Sequence, residues 1–246
     1  MVRRVLAPAL ALAVAAAVAG PARADAIDDP LAIEPPSRAD GATVARIVAP
    51  TSVRARRDDP ASASPLSTTT AWGHHAQELL VLEAAAGADG ERWLRVLLPA
   101  RPNGRSGWIR RDDALLSRTP YWVQIDVRRR TVSVFRRGRL ARRTRAVVGA
   151  SATPTPLGLS AVYERNRQRD PRAFLGPWAL ALTSHSDVLE DYGGGPGRVA
   201  LHGRGRGSFG DPLGSARSHG CVRVDDEPIR WMAARLAPGT PVMVSR

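Results

Sequence analysis

The sequence predicts a mainly β protein in two units, a small all-β barrel over residues 42–117 and a larger β-rich unit over residues 118–246. Short alternating apolar runs recur along the chain and are separated by Gly, Pro, Asn and Asp clusters, the pattern of strands and tight turns. One stretch alone, Ile229, Met232, Ala233 and Leu236, has the i, i+3, i+4, i+7 spacing of a helical face. A hydrophobic content of 43% in 246 residues supplies enough apolar side chains for a real core.

Residues 1–24 read as a secretory signal. Arg3 and Arg4 form a charged start, residues 5–18 are an Ala, Val and Leu run broken by Pro8, and Ala22-Arg23-Ala24 is a cleavage pattern that puts the mature start at Asp25. The run is short against the ~20 residues of a membrane span. Left uncleaved, it would be an N-terminal membrane anchor; without a cysteine at the cleavage site, a lipoprotein anchor is excluded. Residues 25–41, with Pro30, Pro35 and Pro36, read as a linker.

In the first unit, strands are expected at residues 44–48, 78–83, 93–98 and 107–109. Turns fall at Gly87, Asp89-Gly90 and Pro102-Asn103-Gly104, and residues 58–70 form a mobile loop. Residues 121–127 and 131–135 alternate around a basic turn and form a hairpin, and residues 140–148 return as a third strand. Thr155-Pro156-Leu157-Gly158 is a turn. Residues 159–163, 178–183 and 198–201 are further strands. Asp225 caps the one helix, Pro228 sits in its first turn, Gly239 ends it, and residues 241–244 close the chain as a strand.

The formal net charge is +13; loss of Arg3, Arg4 and Arg23 with the signal removes three positive charges and leaves +10. All 36 basic residues are arginine, which excludes Schiff-base or lysine-nucleophile chemistry. A basic exported protein suits an anionic matrix such as a bacterial wall. Nucleic acid is not the expected partner, because the arginines are scattered and aromatics are 5% of the chain.

Cys221 is the only cysteine, so the chain forms no internal disulfide. It lies in Ser218-His219-Gly220-Cys221-Val222-Arg223, with a histidine two residues before it. An apolar strand ending at His202-Gly203 precedes Ser218 by fifteen residues. A thiolate is a nucleophile and a nearby imidazole takes its proton. If the two strands are neighbours, both histidines reach one thiol. Gly203 and Gly220 permit close backbone approach where a substrate carbonyl meets main-chain N–H groups. A buried, inert thiol is the plain alternative.

His202-Gly203 followed by Ser-His-Gly-Cys-Val-Arg resembles the signature of the L,D-transpeptidase (YkuD-like) catalytic domain. Thr155-Pro156-Leu157-Gly158 is similar to that family's Thr-Pro-x-Gly turn, and the 121–135 hairpin to its opening strands; the resemblance covers about residues 120–246. It implies a β-sandwich with a deep groove at the cysteine and a peptidoglycan enzyme that forms 3→3 cross-links, or attaches proteins to the wall. The thiolate attacks the carbonyl between residue three of a tetrapeptide stem and its terminal D-alanine. A thioester forms and a second stem's side-chain amine resolves it, without metal or organic cofactor. Carried onto this chain, Cys221 is the nucleophile, and His202 the general acid/base oriented by the Gly203 carbonyl. His219 shapes the site, N–H groups near Gly220 and Cys221 are oxyanion donors, and Ser218 and Tyr192 contact substrate. Arg223 stands where some relatives have asparagine and would grip a stem carboxylate; otherwise it is a surface arginine paired to Asp225 or Asp226. The resemblance further implies peptidoglycan stem peptides as partners, a place in the cell envelope, and a monomer with no integral membrane domain after cleavage.

Glu91-Arg92-Trp93-Leu94-Arg95-Val96 with Gly107-Trp108-Ile109 resembles the bacterial SH3-like domain, which implies a wall-binding module or a barrel that packs on its neighbour. Gly205 to Gly210 matches G-x-G-x-x-G, but Pro212 and the glycine density deny the helix that a dinucleotide site needs; it reads as a flexible loop beside the groove whose Arg204 and Arg206 touch wall anions or solvent. Tyr192 before three glycines is a mobile rim over the site or a plain turn. Trp178 and His185 line the groove or sit in the core. Rival functions are an L,D-carboxypeptidase that hydrolyses the same donor, a non-catalytic wall-binding protein, and a zinc site built from His202, His219 and Cys221.

Overall fold

The computed structural model describes residues 33–87 and 90–246. The signal sequence, most of the linker and Asp89 of the predicted turn lie outside them. Among the described residues no helix is long and apolar enough to cross a membrane.

Strands β1 (Ala42–Ile47), β4 (Glu78–Ala86), β5 (Arg92–Leu97), β6 (Ser106–Arg110) and β7 (Ala114–Thr119) form an antiparallel sheet in the order β6-β5-β4-β1-β7. Its inward residues, among them Ala45, Ile47, Leu79, Leu94, Val96 and Ile109, make a core of their own. The sheet is open: among the described residues β6 and β7 are not paired with each other. The expected mobile loop carries structure. Strand β3 (Ser64–Leu66) pairs with β2 (Thr51–Val53), a 3₁₀ turn at Pro60–Ser62 precedes it, and Arg54 bridges this ribbon to Trp108 of β6. Strand β7 had no sequence signal because its alternation is weak; only pairing with β1 along its whole length defines it.

After Pro120 the chain enters an eight-stranded mixed sheet in the order β10-β9-β8-β17-β12-β13-β14-β16. The strands are β8 (Tyr121–Asp126), β9 (Thr131–Arg136), β10 (Arg139–Arg145), β12 (Gly158–Arg167), β13 (Trp178–His185), β14 (Arg198–His202), β16 (Val222–Arg223) and β17 (Pro241–Ser245). The resemblance implied a β-sandwich. Here one curled sheet brings Val123, Ile125, Val132 and Val134 from one end against Leu180, Leu182, Leu201 and Val222 from the other, in one core. Helix α1 (Asp226–Ala233) closes that core with Ile229, Met232 and Ala233; Leu236 lies beyond its end and is fully buried. Asp225 is its N-cap residue without a capping hydrogen bond, because its carboxylate accepts from Arg204 instead.

The third strand is shorter than its apolar pattern. β10 stops at Arg145, and the chain turns so that Val147 pairs with Arg223 and β11 (Val148–Gly149) runs parallel to β15 (Ala216–Ser218). This detour draws the chain out of the hairpin and against the cysteine segment.

The two sheets meet along a polar seam. Asn103 Nδ2 donates to the His185 carbonyl at 2.7 Å and to Asp187 at 2.8 Å, and its Oδ1 accepts from the His185 N–H at 2.8 Å. Arg101 donates to the carbonyls of Ser186, Leu189 and Pro196 at 2.6–3.1 Å, which gathers the 186–197 loop. The Gly73 N–H donates to Glu164 and the Ala71 N–H to the Tyr163 hydroxyl. Asn103→Ala removes three bonds and strands buried backbone groups of His185. It should cost about 1–3 kcal/mol, read as a lower denaturant midpoint; an unchanged midpoint would show that the seam contributes nothing to stability.

Candidate active site

β14 and β16 are parallel neighbours, with Leu201 opposite Val222 and His202 opposite Arg223. Successive side chains on a strand point to opposite faces. Leu201 and Val222 enter the core, so His202, Arg223, Ala200 and Cys221 share the other face. The fifteen residues between His202 and Ser218 serve to bring the second strand alongside the first.

His202 is fully buried. Its Nδ1 donates to the Gly203 carbonyl at 2.7 Å, so the proton of the neutral ring is held there and Nε2 is left as the acceptor. Nε2 is buried and has no hydrogen-bond partner among the described residues. Burial lowers the His202 pKa to about 4, with the Arg223 charge in the same direction and the Gly203 and Leu175 carbonyls against it. Burial raises the Cys221 thiol, opposed by the Ala200 N–H and the Arg223 charge. At neutral pH the site therefore holds a neutral imidazole with a free lone pair and a half-buried, protonated thiol.

The cysteine loop is clamped from both sides. Ser218 is buried, and its hydroxyl donates to the Cys221 carbonyl at 2.5 Å and accepts from the Gly220 N–H at 3.2 Å. Thr155 of the Thr-Pro-Leu-Gly turn donates to the Gly220 carbonyl at 2.9 Å, and Thr153 donates to that of Ser218 at 3.2 Å. Gly220 takes φ +111°, a conformation L side chains rarely adopt. The Ser218 hydroxyl, expected to contact substrate, is bonded within the loop. The Gly220 N–H is likewise engaged, which moves the oxyanion expectation onto the Cys221 N–H.

Arg223 also differs from both readings made of it. It is 3% exposed, so it is no surface arginine, and it pairs with neither Asp225 nor Asp226. It donates to Asp211 at 2.5 Å and lies 4.9 Å from the centre of the Phe174 ring. A buried guanidinium needs such a partner, so Arg223 acts as an internal positive charge behind His202. Phe174 also packs 6.0 Å from the His202 ring. Neither Asp211 nor Phe174 carried a sequence signal, because each becomes significant only through the fold.

His219 is exposed at the mouth, with its ring 5.4 Å from that of Tyr192 and its Nδ1 3.4 Å from the Tyr192 hydroxyl. Tyr192 reaches His219 from a turn that pairs it with Gly195. Trp178 packs against the core and His185 faces the seam, so neither lines this site. The Gly205–Gly210 run is a pinned turn: a Cβ on Gly205 would lie 1.6 Å from the Ala173 carbonyl oxygen, and Arg204 is held by Asp225 and the Asp211 carbonyl rather than free for wall anions. Among the described residues no three His, Cys, Asp or Glu side chains gather as a metal site, so the zinc arrangement is not formed.

A half-buried thiol, an imidazole held by its Nδ1 on the same sheet face and a glycine of positive φ next to the thiol make up the candidate site. Residues 120–244 match the L,D-transpeptidase catalytic domain, YkuD, and the chain belongs to that family. A Bacillus licheniformis protein with the provisional name L,D-transpeptidase YkuD is 26% identical over 171 residues, 67% of this chain and 93% of that one. A Bacillus subtilis protein of the same provisional name is 27% identical over 127 residues, 52% of this chain and 67% of that one. A crystal structure of Enterococcus faecium L,D-transpeptidase is 17% identical with a TM-score of 0.39, over 54% of this chain and 56% of that one.

His185, like His202, is held neutral, its pKa lowered to about 4 by burial and by the charges of Arg198 and Arg101. Both titrate near 6.5 when unfolded. Their folded pKa values are depressed, so the unfolded chain binds more protons between about 4 and 6.5. Stability should be full above pH 6.5 and fall as the pH drops through 4. Thermal denaturation from pH 7 to 4.5 should show a falling Tm, and His185→Gln should flatten part of the fall; a pH-independent Tm would contradict the buried neutral histidines.

Proposed function

We propose that this protein is a peptidoglycan L,D-transpeptidase that forms 3→3 cross-links through a Cys221 thioester. The observation that carries the reading is the His202 ring, whose Nδ1 is tied to Gly203 and whose buried Nε2 lacks a partner on the face that holds Cys221. As Sγ attacks the stem carbonyl, the thiol proton passes to Nε2. The C–N bond to D-alanine breaks and Nε2 protonates the leaving amine. The acceptor's side-chain amine then attacks the thioester and gives its proton to Nε2, and the released sulfur takes that proton back. The Cys221 N–H serves the oxyanion, while His219 and Tyr192 position substrate at the mouth. The peptide bond that is cleaved supplies the energy, so the scheme uses no cofactor.

The enzyme would be a monomer exported to the cell envelope under direction of residues 1–24, and residues 42–117 would be an SH3-like domain followed by the catalytic domain at 118–246. The Asn103 and Arg101 contacts to the catalytic sheet support one working unit rather than a freely hinged wall-binding module.

Incubation of the mature protein with a carbapenem, an acyl-donor mimic, should give a covalent adduct by intact mass that is lost in Cys221→Ala. His202→Ala should slow acylation about 10²–10⁴-fold, and the wild-type rate should fall on the acid side near pH 4 rather than 6.5. Wild-type acylation by His202→Ala would move the base role to His219; no adduct at all would remove the nucleophile assignment.

Muropeptides as donor and acceptor should yield dimers joined through two third-position residues, with one D-alanine lost per bond, as read by mass spectrometry. Tripeptide alone at high acceptor concentration would make the enzyme an L,D-carboxypeptidase.

A further inference from the structure

Beyond the cysteine, the sheet register lays out a track. Glu164 of β12 is paired with Ala181 of β13, and Ala181 with Ala200 of β14. Continuing the β14–β16 register by one residue places Cys221 beside Ala200, whose N–H lies toward the thiol. Paired residues share a face, so Cys221, Ala200, Ala181 and Glu164 form one row across four strands. Three strand spacings of ~4.8 Å make it about 14 Å long. Its two middle members are part-exposed alanines, which leave a floor free of bulky side chains.

The track ends in a pocket of about 270 Å³ walled by Tyr192, Gly195 and Trp72. Trp72 comes from the N-terminal unit and is 56% exposed. The bonds from Gly73 to Glu164 and from Ala71 to Tyr163 hold its segment on the catalytic sheet. A Cβ on Gly195 would lie 3.3 Å from the indole, so a side chain there would push the ring by a few tenths of an ångström. The charges in the pocket are engaged. Glu164 accepts from Gly73, Asn166 and Thr70; Arg198 donates to the Leu182 and Pro99 carbonyls and lies on the Tyr163 ring. The accessible walls are thus aromatic rather than ionic.

The geometry points to a sugar-binding subsite here, in which Trp72 stacks on the muramyl ring that carries the donor stem. This rests on the proposed reaction. With the third residue's carbonyl at Cys221, three extended residues cover about 10 Å, and the lactyl ether that joins stem to sugar spans the remainder of the track. An aromatic face suits the C–H face of a pyranose.

The test uses the full mature chain carrying Cys221→Ala, so that binding is read without chemistry. Calorimetry compares disaccharide-tetrapeptide with free tetrapeptide, in that protein and with Trp72→Ala or Trp72→Tyr added. The disaccharide ligand should bind more tightly than the free peptide. Trp72→Ala should weaken it about 3- to 10-fold, in the range of one aromatic stacking contact, and leave the free peptide within about 2-fold; Trp72→Tyr should restore most of the loss. Equal loss for both ligands, or none for the disaccharide, overturns the subsite. Failure of the transpeptidase reading would appear separately, as absence of the carbapenem adduct in the protein that retains Cys221.

Discussion

The parallel pairing of β14 with β16 is the constraint on which the rest of this site depends. It puts a strand that ends in His202 beside one that begins after Cys221, with core residues on one face and reactive groups on the other. Parallel neighbours need a long connection, and residues 203–217 are that connection. Their own structure follows from the same demand. Gly203 and Gly205 let the returning chain lie against residues 173–177 at distances a Cβ would not allow, and Asp211 is carried back to meet Arg223.

Burial determines the electrostatics. A histidine and a thiol in water each carry a fraction of their charge near neutral pH, and here desolvation disfavours both charged forms. The Arg223–Asp211 pair is the compensating feature: a buried cation close enough to favour a thiolate and to resist an imidazolium, itself neutralised by a carboxylate.

The N-terminal unit is part of this arrangement rather than an appendage. Arg101 holds the 186–197 loop by its carbonyls, Asn103 fixes its start through the His185 backbone and the Asp187 carboxylate, and that loop carries Tyr192 to His219. Hydrogen bonds to several backbone groups of one loop restrict it far more than a single side-chain contact would, because they remove its backbone freedom. The position of Tyr192 beside His219 is therefore set by two units together.

Much of this was legible in the residues. Alternation placed most strands of both sheets, the helical spacing at residues 229–236 found α1, and the lone Cys221 beside His219 and Gly220, with His202-Gly203 upstream, marked the candidate groups; the Gly203 carbonyl that holds the imidazole was implied by the family resemblance. These are local properties: periodicity, turn chemistry and the reactivity of side chains. What only the tertiary structure decided is how each polar group is satisfied. Asp225 stands at the expected N-cap, yet its carboxylate holds Arg204; the Ser218 hydroxyl holds its own loop; Arg223, expected to grip a stem carboxylate or else to sit at the surface, is buried on Asp211. A polar side chain has several possible partners within reach of its sequence, and the one it takes depends on which strands the fold makes neighbours. Strand β7 and the break after Arg145 were unreadable for the same reason, since pairing with distant segments, not their own alternation, determines them.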